Sequence, residues 1–506
     1  MLNSFITLSV LVSQGLFARF YSESDCDYGY ALVATPDGGM AFAGLTENPS
    51  ASDYDFGLVK LNSSGAMEWK YAYGGTGYEW AHGIVLTSDG QYAAVGESSS
   101  FGSGYRTLLI KVNTTGGVSW ASTFSVASGD LGGISLARTT DGGYAIGGWT
   151  GASYDSSAVV IKANSSGGLV WARRFNEATG REACRAVSAT SDGGVIAAGY
   201  RTNASGNKDI MVLKLSSSGD LDWGKSYGGS GNDWAASVIQ TADGGYAVLG
   251  QTKSFLDPTY GELVLLKLNS SGGLQWAKTY NTTYVDWPYA LIQAPDNGYV
   301  FSCYLTYGGF SILKTSSDGS LQWARGSGVS GSDYSVHEHE SLVRTTDGGY
   351  ALVGFRFSGS TEYDFFVIKV AQDGSYPGCV SDLTPAVNTV SLTTENLSGL
   401  ANYTCSQASV MPTRRDLNLT PSDNCPPAVG ASESPPRPEN GVICVPVIGG
   451  AVFLAGETTD LSVYSPDGRL VYSGNLQRGE NRIPLDRGVY LWKAGDDSGW
   501  GKVAVR

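Results

Sequence analysis

A short motif recurs seven times along the chain at nearly constant spacing. Asp-Gly-Gly, or a close variant, occurs at Asp37, Asp89, Asp141, Asp192, Asp243, Asp296 and Asp347, at intervals of 52, 52, 51, 51, 53 and 51 residues. A repeat of this length holds one supersecondary unit, which buries its core only against neighbouring units. The chain is therefore predicted to be an array of seven similar units.

Each unit is predicted to contain four β-strands. In one unit, residues 237–241 and 246–250 flank the turn that contains Asp243. Asp-Gly favours a tight hairpin there, because glycine supplies a positive φ. Residues 210–215 and 221–225 form the second kind of strand pair, around Ser-Ser-Ser-Gly. The first of these two strands is apolar on both faces, so it must be covered on both sides by neighbouring units.

Two further positions recur in register with the turn. A lysine lies inside an apolar strand at Lys60, Lys111, Lys162, Lys214, Lys267, Lys314 and Lys369, and a tryptophan follows the first six lysines at Trp69, Trp120, Trp171, Trp223, Trp276 and Trp323. A lysine in an apolar strand needs a counter-charge. We predict structural roles for both sets, with the tryptophans acting as wedges between units.

The seventh unit lacks its own tryptophan-bearing strand, and the missing strand is found at the other end of the chain. Residues 16–20, Leu-Phe-Ala-Arg-Phe, match residues 169–175, with Phe17 in the place of Trp171. Building one unit from both termini closes a ring and removes its edges, which an open solenoid does not need. The sequence therefore predicts an all-β fold, a seven-bladed β-propeller with four-stranded blades over residues 15–378, closed by the N-terminal strand.

The composition agrees with this fold and excludes several functions. The chain has 69 glycines, 16% charged residues and a net charge of −14. Nucleic acid is not an expected partner, because phosphate binding needs a basic surface. No window reaches the ~18 apolar residues of a transmembrane span. Neither a P-loop nor a dinucleotide fingerprint is present, and we predict no cofactor.

The regions outside the propeller have different compositions. Residues 1–15 contain a short apolar run that ends in small residues, which favours a signal peptide over an additional strand. Residues 379–441 are rich in Pro, Ser and Thr and are predicted to be an extended linker, which disulfides could staple. Residues 442–506 again alternate like strands and predict a small C-terminal β-sandwich. Four cysteines, Cys379, Cys405, Cys425 and Cys444, allow three pairings that the sequence leaves open.

Two resemblances follow from these motifs. The pattern Thr-x-Asp-Gly-Gly-Tyr, as in 241–246, resembles the Asp-Gly-Gly-Tyr propeller repeats of exported bacterial and archaeal surface proteins. The C-terminal motifs Gly-Arg-x-Val, Gly-Val-Tyr and Lys-Val-x-Val are similar to the C-terminal sorting domain of the type IX secretion system. That resemblance implies export across an outer membrane, with the secretion machinery as a partner. The alternative is a small accessory β-domain.

The candidate binding residues lie about ten positions before each Asp-Gly-Gly. A carboxylate occurs there in every unit, often followed by an aromatic residue, which gives Asp27, Tyr28, Glu79, Trp80, Asp233, Trp234, Asp286, Trp287, Asp333 and Tyr334. These residues could form an acidic, aromatic rim that stacks sugars or holds a cation. The alternative is structural: the carboxylates would pair with the seven lysines, one pair per blade.

One departure from the repeat contains two of the three histidines. An insertion of about four residues in the sixth interval places His337 and His339 two positions apart. On a strand they would share a face and could bind a metal, although two ligands do not complete a site. A solvated loop is the alternative.

We therefore predict a secreted or cell-surface protein, attached to an outer membrane, that acts as a binding or structural module. Its ligand is predicted to be polysaccharide or another surface protein. Two alternatives stay open: a glycan-active propeller enzyme that uses rim carboxylates, and a subunit of an extracellular layer or filament.

Overall fold

The computed structural model contains two compact units, residues 14–428 and the C-terminal strands. It describes residues 15–22, 27–48, 53–151, 157–176, 181–255, 258–281, 286–305, 309–326, 334–335, 341–357, 363–376, 381–382, 385–397, 400–402, 404–411, 413–416 and 420–423, and the strands between 442 and 505. The predicted signal peptide lies outside these residues. Within them every regular element is a β-strand or an isolated turn, and none of them forms a helix suited to crossing a membrane.

The first unit is a seven-bladed β-propeller, as predicted. Six blades follow one another along the chain, and each is an antiparallel meander of four strands. They are blade 1, β2 (Asp27–Ala34), β3 (Met40–Asn48), β4 (Asp53–Leu61) and β5 (Met67–Gly74); blade 2, β6 (Glu79–Leu86), β7 (Tyr92–Ser98), β8 (Arg106–Val112) and β9 (Val118–Ser125); blade 3, β10 (Asp130–Arg138), β11 (Tyr144–Gly151), β12 (Ser157–Ala163) and β13 (Leu169–Phe175); blade 4, β14 (Glu182–Ala189), β15 (Val195–Thr202), β16 (Lys208–Leu215) and β17 (Leu221–Gly228); blade 5, β18 (Asp233–Gln240), β19 (Tyr246–Thr252), β20 (Glu262–Leu268) and β21 (Leu274–Asn281); and blade 6, β22 (Asp286–Gln293), β23 (Tyr299–Leu305), β24 (Gly309–Thr315) and β25 (Leu321–Gly326).

Blade 7 joins the two ends of the propeller sequence. Its inner strands are β26 (Tyr334–Ser335), β27 (Leu342–Arg344), β28 (Tyr350–Phe357) and β29 (Tyr363–Val370). The strand that completes it is β1 (Phe17–Ser22), which pairs antiparallel with β29 from Phe17 opposite Lys369 to Tyr21 opposite Phe365. The predicted closure by the N-terminal strand is confirmed.

Apolar side chains are buried between blades, at each of the seven junctions. At the junction of blades 7 and 1, Val353 and Phe365 pack with Phe42 and Val59, all fully buried. Strands with two apolar faces are stable here because each face meets the next sheet around the ring. Neighbouring blades thus supply the cover that the sequence required.

The conformation of the Asp-Gly-Gly turn accounts for the two glycines of the motif. In blade 1 the N–H of Gly38 donates to the carbonyl of Thr35 at 3.0 Å, and Gly38 has φ 82°, where a glycine avoids strain. The second glycine makes room for the strand lysine: in blade 5 a Cβ on Gly245 would lie 2.5 Å from Lys267 Nζ. The motif therefore encodes both the turn and a lysine site beneath it.

Residues 381–423, which were predicted to be part of an extended linker, form β-strands instead. This segment contributes seven short strands, β30 (Ser381–Asp382), β31 (Ala386–Thr389), β32 (Thr393–Asn396), β33 (Leu400–Asn402), β34 (Ser406–Ser409), β35 (Thr413–Asp416) and β36 (Thr420–Asp423). They pair antiparallel, in this order, with the outermost strands of blades 6, 5, 4, 3, 2, 1 and 7. We call residues 381–423 the belt, because it passes once around the ring and gives every blade a fifth strand.

The belt also corrects the expectation of disulfide staples for the residues that can be assessed. Cys405 lies in the belt without a disulfide, as do the buried Cys184 and Cys303 in the blades. The belt is instead attached by main-chain hydrogen bonds, such as Leu397 N–H to the Gly224 carbonyl at 2.8 Å. Extended backbone needs no particular side chains for such bonds, so a Ser- and Thr-rich segment can form it.

The C-terminal unit consists of two antiparallel sheets, in agreement with the predicted sandwich. One sheet contains β37 (Val442–Val447), β38 (Gly450–Ala455) and β41 (Gly479–Pro484). The other has the order β40-β39-β42-β43, formed by β39 (Thr459–Tyr464), β40 (Leu470–Leu476), β42 (Gly488–Ala494) and β43 (Gly499–Val505).

Candidate functional site

Five of the carboxylates that begin the innermost strands are buried and do not form a solvent-facing rim, whereas Asp130 is half-buried. Asp27, Glu79, Glu182, Asp233 and Asp286 each have 0% exposure. Burial of a carboxylate requires compensating hydrogen bonds, and the predicted source was the strand lysine. That pairing is wrong, because each of the seven lysines is bonded to a different carboxylate at the other end of the innermost strand.

The lysines pair with the aspartates of the Asp-Gly-Gly turns. The Nζ–Oδ distances are 2.6–2.9 Å for Lys60–Asp37, Lys111–Asp89, Lys162–Asp141, Lys214–Asp192, Lys267–Asp243, Lys314–Asp296 and Lys369–Asp347. The hydrogen bonds from Lys111 and Thr87 lower the pKa of Asp89 to about 2. Each pair fastens a hairpin turn to the third strand of its own blade, which is a structural task.

The buried carboxylates fasten the connections at the other end of the blades. Glu79 accepts hydrogen bonds from the Gly75 N–H at 2.8 Å and the Ser98 hydroxyl at 2.7 Å. Asp233 repeats the arrangement with the Gly229 N–H at 2.8 Å and the Ser254 hydroxyl at 2.7 Å. Burial raises the pKa of both carboxyl groups, against the opposing effect of these bonds. They hold the chain where it enters each blade.

The six tryptophans of the outer strands lie at the junctions between blades. The Trp69 ring is 5.8 Å from that of Tyr92 in the next blade, and its Nε1 donates to the Thr114 carbonyl at 2.8 Å. The same ring contact with a tyrosine of the next blade, at 5.6–6.2 Å, occurs for Trp120, Trp223, Trp276 and Trp323. Trp171 instead donates to the Ser217 carbonyl at 3.0 Å.

The aromatic residues after the buried carboxylates differ from all of these sets, because they vary between blades. They occupy the second position of the innermost strand as Tyr28, Trp80, Trp234 and Trp287, whereas blades 3 and 4 have Leu131 and Ala183 there. A blade therefore forms without an aromatic at this position. Since innermost strands surround the central channel of a propeller, these rings lie around one of its openings.

Two groups of stacked side chains occupy opposite parts of this opening. The first arc is Tyr28, Tyr30 and His82, with ring separations of 6.3 and 5.6 Å. The second arc is Arg185, Trp234 and Trp287, contributed by blades 4, 5 and 6. Its guanidinium lies 4.8 Å from the Trp234 ring centre, and the two indoles are 6.0 Å apart. Trp234 thus lies between the Arg185 guanidinium and the Trp287 ring, which is tilted by 48° against it.

A buried amide fixes the second arc from behind. Gln251, which is 3% exposed, accepts a hydrogen bond from Trp234 Nε1 at 3.1 Å and donates to the Asp286 carbonyl at 2.6 Å. Trp287 itself is 44% exposed. The arc therefore combines a held indole with an adjacent indole open to solvent, which suits stacking against a flat, partly apolar ligand.

The sequence did not identify Tyr30, His82 and Arg185. Each of the three is the extra residue at a β-bulge in the innermost strand, where the register shifts between Gly29 and Ala31, Ala81 and Gly83, or Cys184 and Ala186. A bulge redirects one side chain out of the strand alternation. The available signal was variation between blades at the fourth position of the innermost strand.

The predicted metal residues lie outside the part of the chain that the structure describes. These are His337 and His339. Of the predicted rim residues, Asp333 also lies outside the described part, and Tyr334 is described only as part of a strand. Among the described side chains, no group of three or more His, Cys, Asp or Glu is placed to hold a metal ion.

Comparison with known proteins adds no family to this description. No family model matches the chain, and no curated protein matches it. Several solved structures are similar to the chain, and they include the following three. PorZ, a surface component of the type IX secretion system of Porphyromonas gingivalis, is 9% identical, with 96% of this chain and 82% of that chain covered and a TM-score of 0.32. Sqt1 from Chaetomium thermophilum is 13% identical, with 72% and 87% covered and a TM-score of 0.35.

The third structure is a protein of unknown function from Dyadobacter fermentans. It is 9% identical, with 70% of this chain and 98% of that chain covered and a TM-score of 0.38. All three scores lie below 0.5, so these similarities indicate no activity, partner or location for this chain.

Proposed function

We propose that this protein is a secreted or cell-surface propeller that binds polysaccharide at the channel opening, through the second arc. The observation that carries the proposal is the exposed Trp287 beside the held Trp234. Leaving 44% of the Trp287 side chain in water forgoes part of the ~1.5–3 kcal/mol that full burial of a large apolar side chain gives. Blades 3 and 4 do without an aromatic here, so blade stability does not account for this cost.

The arrangement of the arc favours sugar rings over a protein surface. Sugars present flat apolar faces surrounded by hydroxyl groups, and two indoles 6.0 Å apart offer adjoining platforms for them. Arg185 adds hydrogen-bond donors at the other side of Trp234. The opening combines stacking surfaces with a polar group, as ligand sites usually do.

The enzyme alternative loses five of the seven carboxylates on which it depended. A glycan-active propeller would need two carboxylates that reach substrate, one as acid and one as base or nucleophile. The five described strand-initial carboxylates with 0% exposure cannot reach a ligand in the channel without unfolding the blade connections they hold. The binding function is therefore the better supported of the two.

The C-terminal unit enters the same proposal as an address for export. Its two sheets agree with a sorting-like sandwich, and its motifs resemble the type IX sorting domain. We propose that residues 442–506 direct the chain to the outer surface through the secretion machinery. Fusion of these residues to a periplasmic reporter, in a bacterium with and without that machinery, tests the address; equal surface display in both strains would refute it.

Binding is tested with the full chain on an array of neutral and acidic polysaccharides, followed by calorimetry on the best ligand. Trp287→Ala is expected to weaken binding by about tenfold or more, equivalent to ~1.4 kcal/mol. Because Trp287 is half exposed, its removal is expected to leave the melting temperature nearly unchanged.

A matched control separates the arc from general stickiness of exposed rings. Tyr78 is 41% exposed but precedes blade 2, across the ring from blades 5 and 6. Tyr78→Ala should keep wild-type affinity. Equal losses in both variants, or no polysaccharide ligand at all, would refute the proposed function.

A further inference from the structure

The ring-closing strand is held on both sides by opposite ends of the chain. On its inner side β1 pairs with β29 over five residue pairs, and on its outer side it pairs with β36 from Arg19 opposite Asp423 to Ser22 opposite Thr420. No short turn connects β1 to either neighbour, since both lie more than 340 residues away along the chain. Without β36, a strand of six residues would be an open edge.

The belt delivers β36 to this position after visiting the other six blades. Its strands are only two to four residues long, and a strand of that length is marginal alone. Six earlier attachments, however, keep β36 at high effective concentration next to β1. The pairing of β36 with β1 is therefore more stable than the few hydrogen bonds of β36 alone would make it.

Side chains strengthen the earlier attachments at particular blades. Leu397 is 5% exposed and packs against the face of Gly224, where a glycine Cβ would lie 3.1 Å from the leucine. In the same blade Glu395 binds Arg201 at 2.9 Å. In blade 1, Arg414 lies 4.1 Å from the Tyr71 ring centre. The main-chain bonds of Val390 and Val410 repeat that of Leu397 at blades 5 and 2.

We propose that the belt is a latch, which locks the N-terminal closing strand so that closure of the propeller depends on both ends of its own sequence. Opening of blade 7 then requires release of β36 as well as β1. A propeller without a latch would open at β1 by local fraying, at a free energy far below global unfolding.

Hydrogen exchange of residues 17–22 in the full chain tests the latch. The variant Thr420→Pro/Ser422→Pro gives, with native Pro421, three successive residues without an N–H, which prevents pairing of β36. We expect every protected amide of β1 to exchange about tenfold faster or more, including those bonded to β29. Peptides from β11 and β12 in blade 3, across the ring, should keep the wild-type rate.

The N–H groups of β1 point alternately to its two neighbours, β36 and β29. This alternation defines the result that would contradict the latch. About half of the β1 amides point towards β36, and these lose protection even if β36 is only a cover. Loss confined to that half, with the β29-bonded amides unchanged, would overturn the latch. The control variant Ala431→Pro/Glu433→Pro, beyond the belt, should leave all of β1 protected.

A second design avoids any effect on folding. A protease site inserted between Leu417 and Asn418 is cut after the protein has folded, which separates β36 from the other six attachments. Exchange of all β1 amides should again rise by about tenfold or more, because the effective concentration is lost. A site between Ser434 and Pro435 is the control. A cut belt with unchanged β1 exchange would refute the proposal.

Discussion

The turn–lysine pairs differ between blades in a way that allows a matched substitution. In blade 3, Lys162 has one carboxylate partner, Asp141 at 2.7 Å, and its side chain is 3% exposed. In blade 4, Lys214 has two, Asp192 at 2.9 Å and Asp222 at 3.1 Å. The same aspartate-to-asparagine change should therefore leave a buried ammonium without a counter-charge in blade 3 but not in blade 4.

The magnitudes follow from what remains around each lysine. Removing the partner of a buried charge costs roughly 3–5 kcal/mol when nothing compensates. Asparagine still accepts a hydrogen bond, and the Thr139 hydroxyl lies 2.6 Å from Lys162 Nζ, so we expect about 2–3 kcal/mol for Asp141→Asn. For Asp192→Asn, Asp222 stays in place, and a partly exposed pair is worth about 0.5–1 kcal/mol.

The assay is urea unfolding of the full chain, followed by far-UV circular dichroism. A rescue variant makes the test more specific. Val170, which is 54% exposed, occupies the position in blade 3 that Asp222 occupies in blade 4, directly before the tryptophan. Val170→Asp should therefore supply a carboxylate to Lys162. It should restore about 1–2 kcal/mol in the Asp141→Asn background and change the wild type little. Equal losses in blades 3 and 4, or no rescue, would refute the assignment of these pairs.

Three further predictions concern Tyr227, Asp89 and Glu79. Tyr227→Phe removes the hydrogen bond from the phenol to the Gly272 carbonyl, 2.5 Å long, and should cost about 1–2 kcal/mol in urea unfolding; no loss would contradict a buried bond. Stability should fall as the pH drops from about 4 to 2, because lysine-paired Asp89 has a folded pKa of about 2, below the ordinary value of 3.8 for an aspartate. Glu79 acts with the opposite sign, since burial raises its pKa: its contribution is present at low pH and is lost as the pH rises through the folded value. Glu79→Gln should therefore gain stability relative to wild type towards neutral pH, and a parallel pH profile would contradict this.

The ring could be predicted from the sequence because the signals that encode it are local and repeated. Turn glycines, strand alternation and the displaced final strand each depend on neighbours in the chain, and seven copies made the pattern clear. The partner of the lysine depends on register, which spacing did not resolve. Asp27 and Asp37 flank the same strand β2, and either could have met Lys60. Lys60 lies two residues before the next turn, which places it at the Asp37 end.

The belt was missed because its composition resembles a linker. The four residues of β32 are all exposed, so the hydrophobic alternation that identifies a half-buried strand is absent. A weaker signal was present in the spacing of apolar residues at Leu383, Val390, Leu397, Tyr403, Val410 and Leu417, which recur every six or seven positions. Val390, Leu397 and Val410, the three of these residues that the structure describes, each also donate a main-chain hydrogen bond to an outermost strand.

The proposed binding site shows why departures from a repeat are more informative than the repeat itself. A group present in all blades, such as the Lys–Asp pair, answers a requirement that all blades share. Tyr28 and Trp287 are not needed to form a blade, because Leu131 and Ala183 occupy the equivalent positions in blades that are equally well formed. The blade scaffold is thus rigid where the sequence repeats, and the variable positions around one channel opening are free to be selected by a ligand.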